Sequence, residues 1–369
     1  MVSATIAGIG TALPGLAAEQ QALWDGFFRS HFATSRLAER IFAGSGVLRR
    51  HTVADPLTED LSGWSTEQRM RRYVREAEPL GHRATIAALA EAGVATEDIG
   101  LLTVASCTGY STPGLDIRLA TSLSLRSDVQ RLFVGHMGCY AALPALGSAA
   151  DFVVARQRPA VLLCLELTSL HVQPPTRDPQ QMVSHALFGD AAAAVVLTPD
   201  HAHAAGSRRV GSRRVGSRSS PLHLVDLAAM TDVSTSDHMT WDVTDLGFRM
   251  GLSPKVPAVL SQHVRPVVCD LLGRHGLDVP DVRGWAVHPG GPAILSTVQQ
   301  ELDLPPEALE SSRSVLAEQG NCSSPTVLLI LEKLLGRDDP EGAGPVVAMA
   351  FGPGLTLYAA LLSGDPELW

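Results

Sequence analysis

The chain has 369 residues, 45% of them hydrophobic and 18% charged, with a formal net charge of −9 at pH 7. This composition is typical of a globular protein, and the length suits two α/β units of ordinary size. The negative charge argues against general nucleic-acid binding, which needs a basic face, and no apolar run reaches the roughly 18 residues that span a bilayer. Because no basic region precedes the first apolar stretch, we expect a cytoplasmic protein.

Strand-like and helix-like patterns alternate along most of the chain, which predicts mainly parallel sheets covered by helices. In the first half we predict a helix at 139–156 and strands near the N-terminus and at 99–106, 131–136, 160–166 and 191–198. In the second half we predict helices at 255–274, 292–301 and 324–336, with strands at 282–287, 345–350 and 355–362. The pattern therefore indicates two similar α/β halves.

Residues 204–220, between the two halves, contain a tandem GSRRV unit and five arginines. A segment with so little apolar content is predicted to be a solvated, mobile loop. Two interpretations stay open, a surface insert without function and a weak electrostatic patch for anionic partners.

The segment LFVGHMGCYAAL places Cys139 after a predicted strand and a glycine, at the first turn of a long apolar helix. Unpaired backbone N–H groups and the helix dipole favour a thiolate there, and a thiolate is the nucleophile that takes an acyl group from a thioester. A buried structural cysteine is the alternative. The other cysteines form no CxxC pair or disulfide framework, so we expect reduced thiols at 107, 164, 269 and 322.

Two downstream segments carry polar side chains suited to the same chemistry. His288 ends a predicted strand in GWAVHPGGPAIL, and Asn321 lies in a turn before a predicted helix in GNCSSPTVLL. A histidine and an asparagine side by side can donate hydrogen bonds to one thioester carbonyl and stabilise an enolate without a metal. As an imidazolium, His288 would also lower the pKa of Cys139. A packed histidine and a turn asparagine are the alternatives.

Together these segments resemble the type III polyketide synthases, the chalcone and stilbene synthase superfamily, over about residues 3–362. The resemblance implies an α/β thiolase fold of two similar halves packed in αβαβα layers. It divides the chain into an N-terminal half at 1–220 and a C-terminal half at 221–369. It is carried, in the order of the family, by GCYAAL at Cys139, ALFGD at Phe188, HPGGPAIL at His288, GNCSS at Asn321 and FGPGL at Phe351.

The resemblance also implies roles for individual residues. Cys139 would carry the acyl group, while His288 and Asn321 would be the donors for decarboxylation and for the oxyanion. Phe188 and Phe248 would be aromatic gatekeepers between the coenzyme A tunnel and the cavity, where an apolar surface favours loss of the malonyl carboxylate as carbon dioxide. Residues that line or underlie the cavity would be Cys107, Thr108, Glu166, Thr168, His171, Met239 and Ser323, with Gly352, Pro353 and Gly354 in a closing loop.

Some positions depart from the family or admit a second interpretation. His171 is bulkier than the threonine typical of plant members, which argues against a chalcone as the product. The closing loop starts with Ala350 where glycine is usual, and we expect the loop to survive this change. Arg49 and Arg50 lie where the family contacts coenzyme A phosphates, and a solvated pair is the alternative.

The implied reaction is an iterative decarboxylative condensation of malonyl-CoA onto an acyl-CoA starter through a Cys139 thioester, followed by cyclisation to a phenolic ring or a pyrone. Coenzyme A thioesters are the substrates, and no cofactor or metal is expected. Related enzymes are homodimers, with the segment near Thr112 close to the cavity of the partner. Two alternatives remain, a ketoacyl synthase III that performs one condensation and a catalytically silent homologue that acts as a binding partner.

Overall fold

The computed structural model of the chain describes residues 4–199, 222–336, 344–365 and 368. The GSRRV repeat and the predicted boundary at residue 220 lie outside these residues. The strands within them are β1 (Ala4–Ala12), β2 (Leu16–Glu19), β3 (Arg49–Thr52), β4 (Leu101–Ala105), β5 (Gln130–Val134), β6 (Ala160–Leu167), β7 (Asp190–Pro199), β8 (Leu222–Thr231), β9 (Met239–Thr244), β10 (Gly247–Leu252), β11 (Gly284–Val287), β12 (Val346–Gly352) and β13 (Thr356–Ser363).

The helices include every helix predicted above, together with several that the sequence analysis did not specify. A π-helical segment, Trp24–Phe28, links the first two of them. The α-helices are α1 (Gln20–Leu23), α2 (Arg29–His31), α3 (Arg36–Ala43), α4 (Thr66–Ala92), α5 (Leu115–Ser122), α6 (Ala142–Arg156), α7 (Pro179–Leu187), α8 (Val256–Gly273), α9 (Pro292–Glu301), α10 (Glu310–Gln319) and α11 (Pro325–Leu335).

Nine of these strands form one mixed sheet in the order β11-β12-β13-β8-β1-β7-β6-β4-β5. Only β4 with β5, β4 with β6, and β11 with β12 pair in parallel within it; its other pairs are antiparallel. The prediction of mainly parallel sheets is therefore wrong. The alternation of strands and helices does not reveal hairpins such as β12–β13, whose short turn after Gly352 requires antiparallel pairing.

The two halves of the sheet repeat one topology. The order β1-β7-β6-β4 in the first half corresponds to β8-β13-β12-β11 in the second, with the same strand directions at each step. By this correspondence α6, which precedes β6, is the counterpart of α11, which precedes β12. The prediction of two similar α/β halves is confirmed, although β5 has no counterpart among the described strands of the second half.

Alternate residues of the central strands face two different hydrophobic cores. Leu163 of β6 packs with α4 and α5, whereas Leu162 packs with the central helices α6 and α11. Ala348 of β12 joins that same central core, whereas Val347 packs with α8 and α9. Because strand side chains alternate between faces, each half of the sheet packs against the central helices on one side and against outer helices on the other. The two halves therefore form two separate layers, and the order of layers is helix, sheet, helix, sheet, helix. This is the αβαβα arrangement of the predicted thiolase fold.

The stretch Gly138–Arg156, which includes α6, is long and apolar enough to cross a membrane, contrary to the sequence-based estimate above. However, 56% of it is buried inside the protein. Its residues form part of the central core between the two halves of the sheet. A helix in the middle layer of the fold meets apolar neighbours on both sides, and this explains its composition.

Candidate active site

Cys139 lies in a short 3-10 turn, Gly138–Tyr140, directly before helix α6 of the central layer. Its side chain is buried. The turn depends on Gly138, whose φ of +72° is in the left-handed region. A Cβ atom there would come within 2.9 Å of Cδ of Pro353, so glycine is also required for the predicted closing loop to pack beside the cysteine.

Asn321 and Ser323 lie in the turn between α10 and α11, at the end of α11 that corresponds to the Cys139 end of α6. The Asn321 backbone N–H donates to the carbonyl of Leu187 at 2.8 Å, and its Oδ1 accepts from the Ser323 N–H at 2.8 Å. Both side chains lie close enough to the Cys139 sulfur to oppose, as hydrogen-bond partners, the burial that raises the pKa of the thiol. The topological repeat thus brings the starts of two equivalent helices together, and with them Cys139 and Asn321.

His288 directly follows β11 and is 1% exposed. Its backbone N–H donates to the carbonyl of Met349 at 2.8 Å. Within the described residues, neither ring nitrogen of His288 has a hydrogen-bond partner, and no hydrogen bond joins the ring to Cys139 or Asn321. A neutral imidazole always carries one N–H donor, and leaving that donor buried and unpaired costs about 1–3 kcal/mol. Such a group is suited to an oxygen supplied by a substrate.

Burial controls the protonation of both groups. It raises the pKa of the Cys139 thiol to about 12, against the opposing effect of the hydrogen bond from Ser323, and Glu166 raises it further. It lowers the pKa of the His288 imidazole to about 3. The prediction of an imidazolium that lowers the pKa of Cys139 is therefore wrong for this state, in which the thiol and imidazole are both neutral at pH 7. The cost of burying a thiolate here exceeds the stabilisation that the helix N-terminus gives it.

Glu166, at the end of β6, binds several of the residues that were predicted to underlie the cavity, which we call the floor of the site. Its carboxylate accepts hydrogen bonds from the backbone N–H groups of Cys107 and Thr108, from the Thr108 hydroxyl at 2.7 Å, and from the Ser324 hydroxyl at 2.9 Å. Burial raises the pKa of Glu166, and the donors oppose this shift. The Cys107 Sγ lies 4.0 Å from Ser323 Oγ, so the predicted floor residues join the Cys139 cluster. The sequence analysis did not assign Ser324 to the site, although it is the last residue of the GNCSS motif.

A cavity of about 40 Å³ is lined by both predicted gatekeepers, Phe188 and Phe248, but by none of Cys139, His288 and Asn321. Thr168 and His171 also line it, as predicted. Its other aromatic side chains are Phe28, His185 and Trp241. The sequence analysis did not identify Trp241 on β9 as a site residue, because a tryptophan in a half-buried strand gives no local signal of a binding site.

The structure places the other predicted lining residues differently. Met239 packs into the second-half core and does not line this cavity, so the structure gives no support for its predicted role. In the closing loop, a Cβ at Gly352 would lie 2.6 Å from the Tyr140 ring, while Gly354 has a φ of +115°. Ala350 is fully buried within β12, where its methyl group fits the central core, as expected.

Known proteins were compared with the whole chain. Residues 2–201 match the family model of the chalcone and stilbene synthases, N-terminal domain, and residues 226–366 match that of the C-terminal domain. The chain belongs to the chalcone and stilbene synthase family. Members of this family are polyketide synthases, that is, condensing enzymes of the acyltransferase type. The predicted resemblance and function class are thereby confirmed.

Individual relatives agree with this membership. The chain is 31% identical over 329 residues to the alpha-pyrone synthesis polyketide synthase-like Pks18 of Mycobacterium tuberculosis, covering 87% of this chain and 81% of that protein. It is 34% identical over 333 residues to 1,3,6,8-tetrahydroxynaphthalene synthase of Streptomyces peucetius subsp. caesius, covering 89% and 84%. The crystal structure of PKS-I from the brown alga Ectocarpus siliculosus superposes with a TM-score of 0.87 at 28% identity, covering 99% of each chain.

The two arginines predicted to contact coenzyme A in this polyketide synthase differ in their surroundings. Arg49 is exposed on β3. Arg50 is 4% exposed and donates to the Phe188 carbonyl at 2.7 Å and to Gln20 Oε1 at 2.8 Å. Burial lowers the pKa of Arg50 to about 10, with Asp190 opposing the shift. Arg50 is therefore not a member of a solvated pair, and it is not a surface contact for phosphate. Both predictions are wrong for Arg50, which instead binds the backbone of the gatekeeper Phe188.

Arg50→Lys is expected to lower the free energy of unfolding by about 2 kcal/mol, because a lysine ammonium does not bridge two separated acceptors as the guanidinium does. The matched control is Arg49→Lys on the same strand, expected to change stability by less than about 0.5 kcal/mol. Urea unfolding of both variants measures the difference. Equal stabilities would contradict the internal role of Arg50.

Proposed function

We propose that this chain catalyses iterative decarboxylative condensation of malonyl-CoA onto an acyl-CoA starter held as a thioester on Cys139. The observation that carries the proposal is the buried Cys139 thiol, which lies beside the Asn321 and Ser323 side chains from the opposite half of the fold. The buried imidazole of His288 adds an N–H donor that has no hydrogen-bond partner among the described residues. Family membership supports the same roles.

In the loading step, the Cys139 sulfur attacks the carbonyl carbon of the starter thioester. The new C–S bond forms, the bond to the coenzyme A sulfur breaks, and the thiol proton passes through His288 to the departing coenzyme A thiolate. Because burial disfavours the free thiolate, proton transfer accompanies the attack rather than preceding it. The Asn321 amide donates to the oxyanion of the tetrahedral intermediate.

In the extension step, malonyl-CoA replaces the released coenzyme A, and its C–C bond to the carboxylate breaks to release carbon dioxide. The electron pair passes into the thioester carbonyl as an enolate, to which His288 and Asn321 donate. The enolate carbon attacks the acyl-Cys139 carbonyl and releases the cysteine sulfur, which takes a proton from solvent. Apolar rings at Phe188 and Phe248 favour this step, because they solvate a carboxylate poorly and carbon dioxide well.

For substrates and assembly we propose malonyl-CoA and an acyl-CoA starter, with Arg49 as a coenzyme A phosphate contact and no further cofactor or metal. We also propose a cytoplasmic homodimer. Strand β5 supports a protein partner, because it is an edge of the nine-stranded sheet and exposes Leu132 and Phe133. Thr112 is exposed in the single chain, as is required of a segment that contacts a partner subunit.

For the product we propose a pyrone or a phenolic ring. The names of the two relatives above state an alpha-pyrone and a tetrahydroxynaphthalene as their products. The bulk of His171, at a position where plant members typically have a threonine, argues against the larger chalcone skeleton. It favours small aliphatic starters, or malonyl-CoA itself, for the same reason.

The experiment that tests the function is incubation of the purified protein with malonyl-CoA and a panel of aliphatic and aromatic starter thioesters, followed by mass spectrometry. We expect coenzyme A release and products that differ from the starter by several two-carbon units. A single β-ketoacyl product delivered to acyl carrier protein would replace this proposal with a ketoacyl synthase III activity. Absence of any malonyl-CoA decarboxylation would favour a silent homologue.

A further inference from the structure

The β9–β10 hairpin carries Phe248 and Trp241 but is not part of the nine-stranded sheet. Its position over the cavity therefore depends on side chains that reach it from the first half. Gln173 donates to the Phe248 carbonyl at 3.1 Å, and Gln181 donates to the Met250 carbonyl at 2.6 Å. These bonds hold the edge of β10 that faces away from β9.

His171 binds the same edge of β10. Its Nε2 lies 2.7 Å from the carbonyl oxygen of Thr108, and the backbone N–H of Phe248 donates to its Nδ1 at 2.9 Å. The His171 ring also stacks on the Phe248 ring, with 4.6 Å between centroids and 13° between planes. One imidazole thus bridges the cavity floor and the gatekeeper.

The two backbone partners fix the protonation state of this imidazole. A carbonyl oxygen only accepts and an amide N–H only donates, so the proton is on Nε2 and Nδ1 is the acceptor. Protonation of Nδ1 would place two hydrogens between it and the Phe248 nitrogen. Burial lowers the pKa of His171 to about 3, which is consistent with a neutral ring.

The bridge continues to the catalytic cluster. Thr108, which accepts from His171, donates its N–H and hydroxyl groups to Glu166. Glu166 also receives the Ser324 hydroxyl, one residue beyond Ser323. A parallel link runs from the Trp241 indole N–H to the Cys107 carbonyl at 2.9 Å. The hairpin is therefore bonded to the loop that packs beside Cys139.

We infer that His171 is the positioning residue for Phe248, and that the hydrogen bond from the Phe248 amide to His171 Nδ1 keeps the gatekeeper ring at the mouth of the cavity. The inference rests on the proposed function for its kinetic consequence, since extension needs an apolar wall beside the malonyl carboxylate. The geometry of the bridge is independent of the proposed function.

Three substitutions separate the parts of the bridge. His171→Asn keeps an acceptor near the Nδ1 position, His171→Gln keeps a donor near the Nε2 position, and His171→Phe keeps a stacked ring with neither hydrogen bond. Hydrogen exchange at residues 246–250, followed by mass spectrometry at pH 7, reports the Phe248 amide without any need for activity. Steady-state kinetics with malonyl-CoA and separate measurement of Cys139 acylation report the reaction.

We expect at least about tenfold faster exchange of the Phe248 amide in His171→Phe and His171→Gln, and near wild-type exchange in His171→Asn. We expect kcat for extension to fall about ten- to hundredfold in the first two, and to fall more than the rate of Cys139 acylation, because only the decarboxylating substrate needs an apolar wall beside a carboxylate. Rescue by asparagine distinguishes positioning from general damage to the fold.

Two results would overturn the inference. One is wild-type exchange and kinetics in His171→Phe; the other is rescue by His171→Gln but not by His171→Asn, which would assign the role to the Thr108 bond. If the wild-type protein makes no product, the proposed function fails, and the exchange comparison still decides whether His171 holds Phe248.

Discussion

The Cys139→Ala protein is expected to form no polyketide, with product formation lower by at least about 10⁴-fold, because the acyl group then has no nucleophile to carry it. The nearby Cys107 thiol does not replace it, since burial raises the pKa of that thiol well above its usual value and its Sγ donates to Glu166 Oε1 at 3.4 Å. Cys139→Ser is expected to lose chain extension as well, because an alcohol is far less ionised than a thiol at neutral pH. The measurement is mass spectrometry of products with malonyl-CoA, together with detection of the acyl group on intact protein.

The exposed thiol of Cys269 provides the matched control. Cys269→Ala is expected to retain full activity, and Cys139→Ala is expected to retain malonyl-CoA decarboxylation because His288 and Asn321 remain in place. Persistent decarboxylation without extension would show that the two tasks belong to different groups. Normal product formation by Cys139→Ala would end the proposed mechanism.

The sequence revealed what is encoded in short segments. Cys139 before an apolar helix, His288 at the end of a strand and Asn321 in a Gly-Asn turn were each identified from a few neighbouring residues, and the structure places the first and last in contact. The buried strands were also predicted close to their actual bounds, because continuous apolar runs such as the one in β6 are local signals.

Properties that arise from distant contacts were not accessible in this way. The pKa values of Cys139 and His288 depend on how completely the two halves exclude water, and for Cys139 the local sequence predicted a shift of the opposite sign. Arg50 looked like a surface cation because its acceptors, the Phe188 carbonyl and Gln20, are remote in the chain. The β9–β10 hairpin was missed for the same reason, since side chains elsewhere determine where it lies.

The repeated topology gives these separate observations one physical cause. Helices α6 and α11 are equivalent elements that share the central core, and the residues preceding them meet where neither half is complete alone. The nucleophile from one half thereby receives its hydrogen-bond donors from the other. Burial in this shared layer excludes water. In the free protein this disfavours a charged thiol or imidazole, and during the reaction it strengthens every hydrogen bond to an enolate that forms there.

His288→Leu is expected to lose malonyl-CoA decarboxylation by about 10²- to 10³-fold, the usual effect of removing one oxyanion donor. The same loss is expected for Asn321→Asp, which keeps an oxygen to accept from the Ser323 N–H but replaces the amide donor with a carboxylate that repels the enolate. Release of carbon dioxide from labelled malonyl-CoA, measured in the Cys139→Ala background, isolates this step from acylation and extension.

Stability provides the discriminating control for His288→Leu. The wild-type ring buries two nitrogens without partners, so replacing it with leucine is expected to raise the free energy of unfolding at pH 7 by about 1 kcal/mol. His288→Gln, which retains an N–H donor, is expected to keep more of the decarboxylation and to show no such gain. An inactive but more stable leucine variant would mean that the fold retains an unpaired donor for the substrate carbonyl, whereas a strongly destabilised one would mean that His288 is a packing residue.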